Sequence, residues 1–67
     1  MKNNLEKIRK ERELTQTDLV DALKVSRQTI SSIENGRYNP SLELAFEIAH
    51  YFNMTIEDIF IYERDSE

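Results

Sequence analysis

Apolar residues recur along this chain at intervals of three and four positions, which is the spacing of one face of an α-helix. Helix-capping residues divide the pattern into five segments, so the sequence predicts five helices. The first predicted helix begins near Asn3 or Asn4 and buries Leu5 and Ile8. One Gly and one Pro among many Leu, Ile, Glu and Lys also favour helices, and the expected fold class is therefore all-α.

Capping residues mark the second and third predicted helices. Thr15 caps the second helix and Asp18 returns the bond, in a variant of the capping box. Ser26 caps the third helix, which ends at Asn35 and Gly36, a usual C-terminal signal. The residues expected to be buried are Leu19, Ala22 and Leu23 in the second helix, and Ile30 and Ile33 in the third.

The fourth predicted helix is capped by Ser41 and continues to about Phe52, where Asn53 can take the left-handed closing conformation. It is apolar over most of its circumference, so we expect several neighbours to cover it. Its polar positions form one narrow stripe and are Glu43, Glu47 and His50, the last interpreted as an ordinary surface histidine. A short fifth helix is capped by Thr55 with Asp58 as its reciprocal partner.

The length of 67 residues predicts one domain, residues 1–67, with a small core. Without cysteine or a Cys/His cluster, disulfides and zinc are not expected to stabilise it, which leaves helix packing and oligomerisation. No apolar run approaches the roughly 20 residues of a membrane span, and no signal peptide is recognisable at the start. These features together predict a cytoplasmic protein with no metal, cofactor, small-molecule ligand or membrane partner.

The net charge of −4 argues against a nucleic-acid partner, but the charge is unevenly distributed. Residues 1–42 hold eight Lys and Arg against six Asp and Glu, which gives +2. Residues 43–67 hold one basic residue against seven acidic residues, which gives −6. The first two thirds of the chain can therefore face DNA while the acidic remainder faces solvent or a partner.

The second and third predicted helices are joined by a short turn and form a helix-turn-helix over residues 15–35. The outward face of the third helix carries Gln28, Ser31, Ser32 and Asn35 and has no charge. Such side chains are mediocre helix formers, so solubility does not explain them. Gln and Asn can bind an adenine edge and Arg a guanine edge, which makes Arg27 and Gln28 candidates for contacts to bases in the first turn of this helix.

The same residues carry a family resemblance. The runs Leu-Thr-Gln-Thr-Asp-Leu at 14–19, Val-Ser-Arg-Gln-Thr-Ile-Ser-Ser-Ile-Glu-Asn-Gly at 25–36 and Asn-Pro-Ser at 39–41 resemble the Cro/C1-type (XRE) helix-turn-helix regulators of bacteria and phage. The resemblance covers about residues 5–60. It implies a compact five-helix, lambda-repressor-like domain that binds double-stranded DNA as a homodimer and acts as a transcription regulator, most simply a repressor.

Position by position, the resemblance also implies roles for individual residues. Arg27, Gln28 and Ser32 match positions that contact bases, and Gln16 matches one that touches a phosphate and braces Gln28. Arg9 and Glu34 match a structural ion pair between the first and third helices. The remaining positions matched to DNA backbone contacts are Thr29, Asn35, Arg37 and Tyr38.

Two positions of the helix-turn-helix depart from the family pattern. Lys24 occupies a turn position where many members have Gly, which predicts a left-handed lysine at a cost of about 1 kcal/mol. Val20 stands where a small Ala often lets the two helices approach. The direction of the third helix is therefore less firmly predicted than its presence.

Four bulky apolar residues precede an acidic tail, and residues 55–63 are the predicted dimerisation segment. The four are Ile59, Phe60, Ile61 and Tyr62. They either close the core against the first helix or form an extended segment that pairs with a second copy across a two-fold axis. Similar small regulators dimerise near their C-termini, which favours the second interpretation.

An alternative from another functional class is a protein-docking or antitoxin-like module that uses the same fold. Its partner would bind the uncharged third helix or the apolar segment at residues 59–62, and the acidic end would suit a basic protein. An enzyme is not expected, because no nucleophile with a suitable partner is recognisable and a chain of this size has little room for a pocket.

Overall fold

The computed structural model describes residues 1–63 and contains five helices and a two-stranded sheet in that part of the chain. This confirms the predicted all-α architecture, with a small sheet added. In chain order the elements are β1 (Lys2–Asn3), α1 (Leu5–Glu11), α2 (Gln16–Leu23), α3 (Arg27–Glu34), α4 (Leu42–Phe52), α5 (Ile56–Ile59) and β2 (Phe60–Ile61). No helix within residues 1–63 is long and apolar enough to cross a membrane.

The predicted caps account for where most helices begin. Thr15 and Asp18 form a complete capping box on α2, and Thr55 and Asp58 form another on α5. The hydroxyl of Ser26 caps α3 by accepting from the N–H three residues later, and the hydroxyl of Ser41 does the same on α4. Because each cap satisfies an N–H that the helix itself leaves without a partner, each start is specified locally.

The start of α1 differs from this pattern. Asn4 is the residue before the helix, but its side chain makes no capping bond. The side-chain oxygen of Asn3 accepts instead from the N–H of Leu5 at 3.0 Å. Asn3 is therefore the residue whose side chain stabilises the beginning of α1.

A single apolar core joins all five helices. Its members with no exposed surface come from each of them and are Leu5, Leu19, Ile30, Ile33, Ile48, Phe52 and Ile59. Ala22 was expected in this core and is exposed, because it lies on the solvent side of α2 while Leu19 and Leu23 face inward. The buried faces fix how the helices pack, and this packing determines where α3 lies.

The predicted extended segment exists, but it pairs within the chain. Strand β2 runs antiparallel to β1, with Lys2 opposite Ile61 and Asn3 opposite Phe60. The N–H of Asn4 also donates to the carbonyl of Ile59 at 2.7 Å. The N-terminal residues therefore occupy one edge of this segment, where the sequence suggested a second copy of the chain.

The burial of residues 59–62 corrects the predicted dimer interface. Ile59 has no exposed surface and Phe60 is 8% exposed, because both pack into the chain's own core. These two side chains close the core, as the alternative interpretation expected. Ile61 and Tyr62 remain exposed and are the two residues of the four that a partner can reach.

Helix α4 is covered less completely than its composition predicts. One side packs into the core through Leu44, Ala45, Ile48 and other residues. On the opposite side Leu42 is 72% exposed and Phe46 is 58% exposed. An apolar part of α4 therefore stays in contact with solvent, next to a depression that Phe46 lines together with Ile56 and Glu57 of α5.

Candidate nucleic-acid interface

The turn between α2 and α3 has the predicted left-handed residue. Lys24 adopts φ 60° and ψ 42°, and its N–H donates to the carbonyl of Val20 at 2.9 Å, which closes α2. Val20 is half-buried at the edge of the core. The two helices pack against each other despite these departures from the family pattern, and the turn leads directly into the first residues of α3.

The first turn of α3 presents the two side chains with the strongest chemistry for contacts to bases. Arg27 and Gln28 are both exposed. Ser26 holds this turn, because its hydroxyl accepts from the N–H of Thr29 at 3.0 Å and lies 2.8 Å from the Thr29 hydroxyl. The cap fixes the backbone from which both side chains project, and it engages the hydroxyl of Thr29.

A shallow depression of about 250 Å³ lies beside this turn. Its lining is uncharged and contains Gln28, Thr29, Ser32 and Tyr38 together with the capping Ser26. Four of the predicted DNA-contacting residues are thereby brought to one surface. Tyr38 comes from the loop after α3 and is 47% exposed.

Other predicted contacts to the DNA backbone come from residues at the end of α3 and directly after it. Gly36 takes φ 78°, a conformation that side chains rarely adopt, and the chain turns there. The N–H groups of Arg37 and Tyr38 both donate to the carbonyl of Ser32, at 2.9 and 3.2 Å. Asn35 and Arg37 are exposed. Because Arg27 is exposed as well, accessible positive charge lies near both ends of the helix.

The predicted ion pair between Arg9 and Glu34 is present and nearly inaccessible to solvent. Nε of Arg9 lies 2.7 Å from Oε2 of Glu34, and the two side chains are 10% and 4% exposed. Nη1 of Arg9 also donates to the carbonyl of Leu14 at 3.0 Å. The pair joins α1 to the last turn of α3 and neutralises the one acidic side chain of α3.

The hydrogen bond to Glu34 raises the pKa of Arg9 above its ordinary value, against the opposing effect of burial. A cation with a raised pKa in the folded state contributes stability that is lost only when the pH rises through that value. Since the ordinary pKa of arginine is already far above neutral, Arg9 stays charged throughout the useful pH range.

Gln16 does not brace Gln28 as the resemblance implied. Its side-chain nitrogen donates to Oε1 of Glu34 at 3.0 Å, and its side-chain oxygen accepts from Nε of Arg27 at 3.3 Å. Gln16 lies in the first turn of α2 and bonds both the last residue of α3, Glu34, and its first residue, Arg27. The partner of Gln16 is therefore Arg27, the neighbour of the expected residue.

Asn3 holds α3 from the other side and was not predicted to do so. Its side-chain nitrogen donates to the carbonyl of Ile33 at 2.8 Å. The capping pattern identified Asn3 as a helix start, but nothing in the sequence indicated a partner 30 positions away. The last turn of α3 is thus held by Asn3 and by Arg9 together.

The described residues were also compared with the requirements of a metal site. Residues 1–63 contain no group of three or more His, Cys, Asp or Glu placed to hold a metal ion. Every buried side-chain nitrogen and oxygen in the same range has a hydrogen-bond partner. The exposed surface of α3 and of the loop that follows it carries neutral polar side chains and two arginines, Arg27 and Arg37.

Comparison with known proteins agrees with this geometry. A family model described as helix-turn-helix matches residues 5–59. An uncharacterized HTH-type transcriptional regulator of Methanocaldococcus jannaschii is 60% identical over 65 residues, which cover 97% of this chain and 98% of the relative. The immunity repressor protein of Bacillus phage phi105 is 40% identical over 52 residues, covering 78% of this chain and 36% of that protein.

A solved structure supports the fold independently. A transcriptional regulator from Listeria innocua superposes with a TM-score of 0.82 at 22% sequence identity, covering 100% of this chain and 66% of that one. The family and these relatives are regulators and not enzymes. The chain therefore belongs to the Cro/C1-type (XRE) family of helix-turn-helix transcriptional regulators.

Proposed function

We propose that this protein is a sequence-specific repressor that binds a pseudo-palindromic operator as a homodimer, with α3 of each copy in the major groove. The observation that carries the proposal is the exposed first turn of α3, where Arg27 and Gln28 project from a capped backbone. Side chains of these types bind base edges, and a rigid helix end can present them to a groove. The similarity to a phage immunity repressor supports repression as the outcome.

Three side chains are proposed to contact bases. Arg27 donates to the O6 and N7 atoms of a guanine, and Gln28 makes the paired hydrogen bonds that suit an adenine. Ser32 lies in the uncharged depression beside Gln28 and is small enough to let the helix approach closely. These contacts provide the choice of sequence.

The proposed contacts to the DNA backbone surround this group. Arg37 supplies charge, Tyr38 and Thr29 supply hydroxyls, and Asn35 and Gln16 supply amides at either end of α3. Contacts to phosphates place the helix in its register without depending on sequence. A protein of net charge −4 needs such contacts to be concentrated on one face, and Arg27 and Arg37 both lie there.

The proposed homodimer uses the exposed part of residues 55–63. Ile61 in β2 and Tyr62 directly after it are accessible, and β1 occupies one edge of β2. A small core also makes a second copy useful for stability. Two copies would place their α3 helices about 34 Å apart, in successive major grooves on one side of the duplex.

Selection of bound sequences from a pool of random duplex DNA tests the proposal most directly. We expect one enriched motif with two-fold symmetry and half-sites about one helical turn apart. Sedimentation equilibrium of the protein alone should give twice the chain mass. Enrichment of a motif without symmetry would contradict the dimeric mode of binding.

Failure to bind any duplex at low salt would favour the second candidate, a protein-docking module. The exposed apolar side chains Leu42 and Phe46 on α4 are the observation that supports it. Such a module would bind a basic protein, because residues 43–67 carry a charge of −6. Its binding would survive substitution of Arg27 and Gln28 and be lost on substitution of Phe46.

A further inference from the structure

We propose that Asn35 is a site of slow chemical modification, at which the main-chain nitrogen of Gly36 displaces the side-chain amide and an acid replaces it. The two residues directly follow the last residue of α3 and are both exposed. The reaction does not depend on the proposed function. Its effect on DNA binding does rest on that function, because Asn35 is a proposed contact to the DNA backbone.

The reaction consumes only water. The nitrogen of Gly36 bonds to Cγ of Asn35, the side-chain nitrogen leaves as ammonia, and a cyclic imide forms between the two residues. Water then opens the imide at either of its carbonyl carbons. One opening gives aspartate, and the other gives isoaspartate, in which the main chain runs through the former side chain and gains a CH₂ group. In sum, an amide and water become a carboxylic acid and ammonia, and nothing is oxidised or reduced.

Gly36 makes Asn35 the asparagine at which this reaction is least hindered. Gly36 is the one glycine of the sequence, and without a side chain its nitrogen is open to approach. Both residues line an open depression of about 610 Å³, which gives water access to them. Asn39 is exposed as well, but it precedes Pro40, whose nitrogen carries no hydrogen and cannot react in this way.

The folded end of α3 holds the two residues away from the reactive geometry. The N–H of Gly36 donates to the carbonyl of Ile33 at 3.0 Å, and this proton must leave before the nitrogen can attack. Asn35 has helical angles, φ −81° and ψ −4°. Ring closure requires rotation about its Cα–C bond, which brings the Gly36 nitrogen to the side of Cβ. The last turn of α3 must therefore open before the reaction can proceed.

Asn3 and Arg9 determine how often that turn opens. The amide of Asn3 donates to the same carbonyl of Ile33 at 2.8 Å, and Arg9 holds Glu34 at 2.7 Å. Opening of a helix end is a local equilibrium, so the observed rate is the intrinsic rate multiplied by the open fraction. Loss of the Asn3 bond should raise that fraction about tenfold, which corresponds to about 1.4 kcal/mol.

The products differ from Asn35 in charge and in shape. A carboxylate at this place lies at the negative end of the α3 dipole and, in the complex, near phosphates. Isoaspartate also lengthens the main chain just before Arg37 and Tyr38, whose N–H groups donate to the carbonyl of Ser32. Both products therefore weaken the proposed contacts to the DNA backbone, and the affinity of a preparation declines as it ages.

Peptide mass spectrometry after incubation at mildly alkaline pH tests the assignment, because replacement of NH₂ by OH changes the mass. In denaturant Asn35 should be modified first, about tenfold ahead of every other asparagine, and in the folded protein its rate should fall with the open fraction. The internal comparisons are Asn3, Asn4, Asn39 and Asn53. Earlier modification of any of these, or an equal rate for Asn35 with and without denaturant, would overturn the proposal.

Asn3→Ala tests the control exerted by the fold. It should accelerate modification of Asn35 about tenfold under folding conditions, whereas Asn4→Ala, the matched control, should not. Equal rates in the two variants would contradict the part given to Asn3. Urea unfolding shows whether each variant is folded, and the comparison of the unmodified protein with and without denaturant needs no variant.

Operator binding of aged samples tests the consequence for function. Affinity should fall in step with the modified fraction, and Asn35→Asp should bind about tenfold more weakly than the unmodified protein from the start. Asn35→Gln should keep its own initial affinity throughout the incubation, because the longer side chain closes the ring poorly. Modification without loss of affinity would refute the effect on DNA binding. If fresh protein binds no duplex, the proposed function fails, while the mass measurement still decides the chemistry.

Discussion

The side-chain amide of Asn3 donates to the main-chain carbonyl of Ile33 at 2.8 Å, across 30 positions of sequence. Its oxygen accepts at the same time from the N–H of Leu5, so one side chain serves the start of α1 and the end of α3. The carbonyl of Ile33 also accepts from the N–H of Gly36 at 3.0 Å, so the amide of Asn3 is its second donor. The first residues of the protein thereby hold the helix that is proposed to contact DNA.

Replacing Asn3 by Ala is expected to lower the free energy of unfolding by about 1 to 3 kcal/mol, because the N–H of Leu5 loses its partner and the carbonyl of Ile33 keeps only the N–H of Gly36. Urea unfolding measures this. Asn4→Ala is the matched control, since the Asn4 side chain makes no capping bond and its main-chain bond to Ile59 remains. An equal or larger loss in the control would contradict the role given to Asn3.

Arg9→Met should lower the free energy of unfolding by about 3 to 5 kcal/mol, more than Asn3→Ala does, because it leaves the enclosed carboxylate of Glu34 without its cation. Lys10→Ala removes a comparable but exposed pair with Glu6 and should cost about 0 to 1 kcal/mol. Similar losses of stability in Arg9→Met and Lys10→Ala would show that burial of the Arg9–Glu34 pair does not increase its contribution.

Lys24→Gly should raise the free energy of unfolding by about 0.5 to 1 kcal/mol, because glycine adopts φ 60° without the strain that a side chain adds. Thermal unfolding detects a change of this size in so small a domain. Asn53 has nearly the same conformation, with φ 58°, but asparagine tolerates it well. Asn53→Gly should therefore have no comparable benefit, and stabilisation of both variants alike would rule out this explanation.

Gln28→Ala is expected to relax discrimination at one position of each operator half-site, at a cost of about 1 to 3 kcal/mol on the preferred sequence. The reason is that a neutral amide in an uncharged depression contributes by pairing with one base edge. Binding to operators with single substitutions measures the effect. Equal losses on every sequence would refute a contact to a base.

Arg37→Ala should weaken binding to all sequences alike and reduce the slope of log affinity against log salt by about 1, because one phosphate contact is lost. Titrations at several salt concentrations measure the slope. Lys10→Ala provides the control, since it removes the same charge from a cation already paired with Glu6. A slope that changes equally in both variants would indicate a general charge effect.

Most of the helices were predictable because their signals are local. The hydroxyls of Thr15, Ser26 and Thr55 act within three residues of their own positions, so adjacent sequence is enough to place a helix start. The left-handed turn at Lys24 was also predictable, but from the family resemblance, because many members have Gly at that position. Propensity and capping describe each element before it is packed.

The partners of individual side chains depended on the packing itself. Gln16 bonds Arg27 and Glu34 where Gln28 was expected, because the choice between adjacent residues of α3 depends on how that helix is rotated against α2. The pairing of Phe60 with Asn3 joins residues from opposite ends of the described chain, and no local pattern indicates it.

The pairing of β1 with β2 also bears on how the protein is made. Residues 60 and 61 supply one of the two strands, and Ile59 and Phe60 supply part of the core. A ribosome synthesises these residues long after Lys2 and Asn3, which must wait for their partners. The domain can therefore complete its fold only after residue 61 has emerged. A nascent chain halted before that point contains α3 but lacks the pairing of β1 with β2.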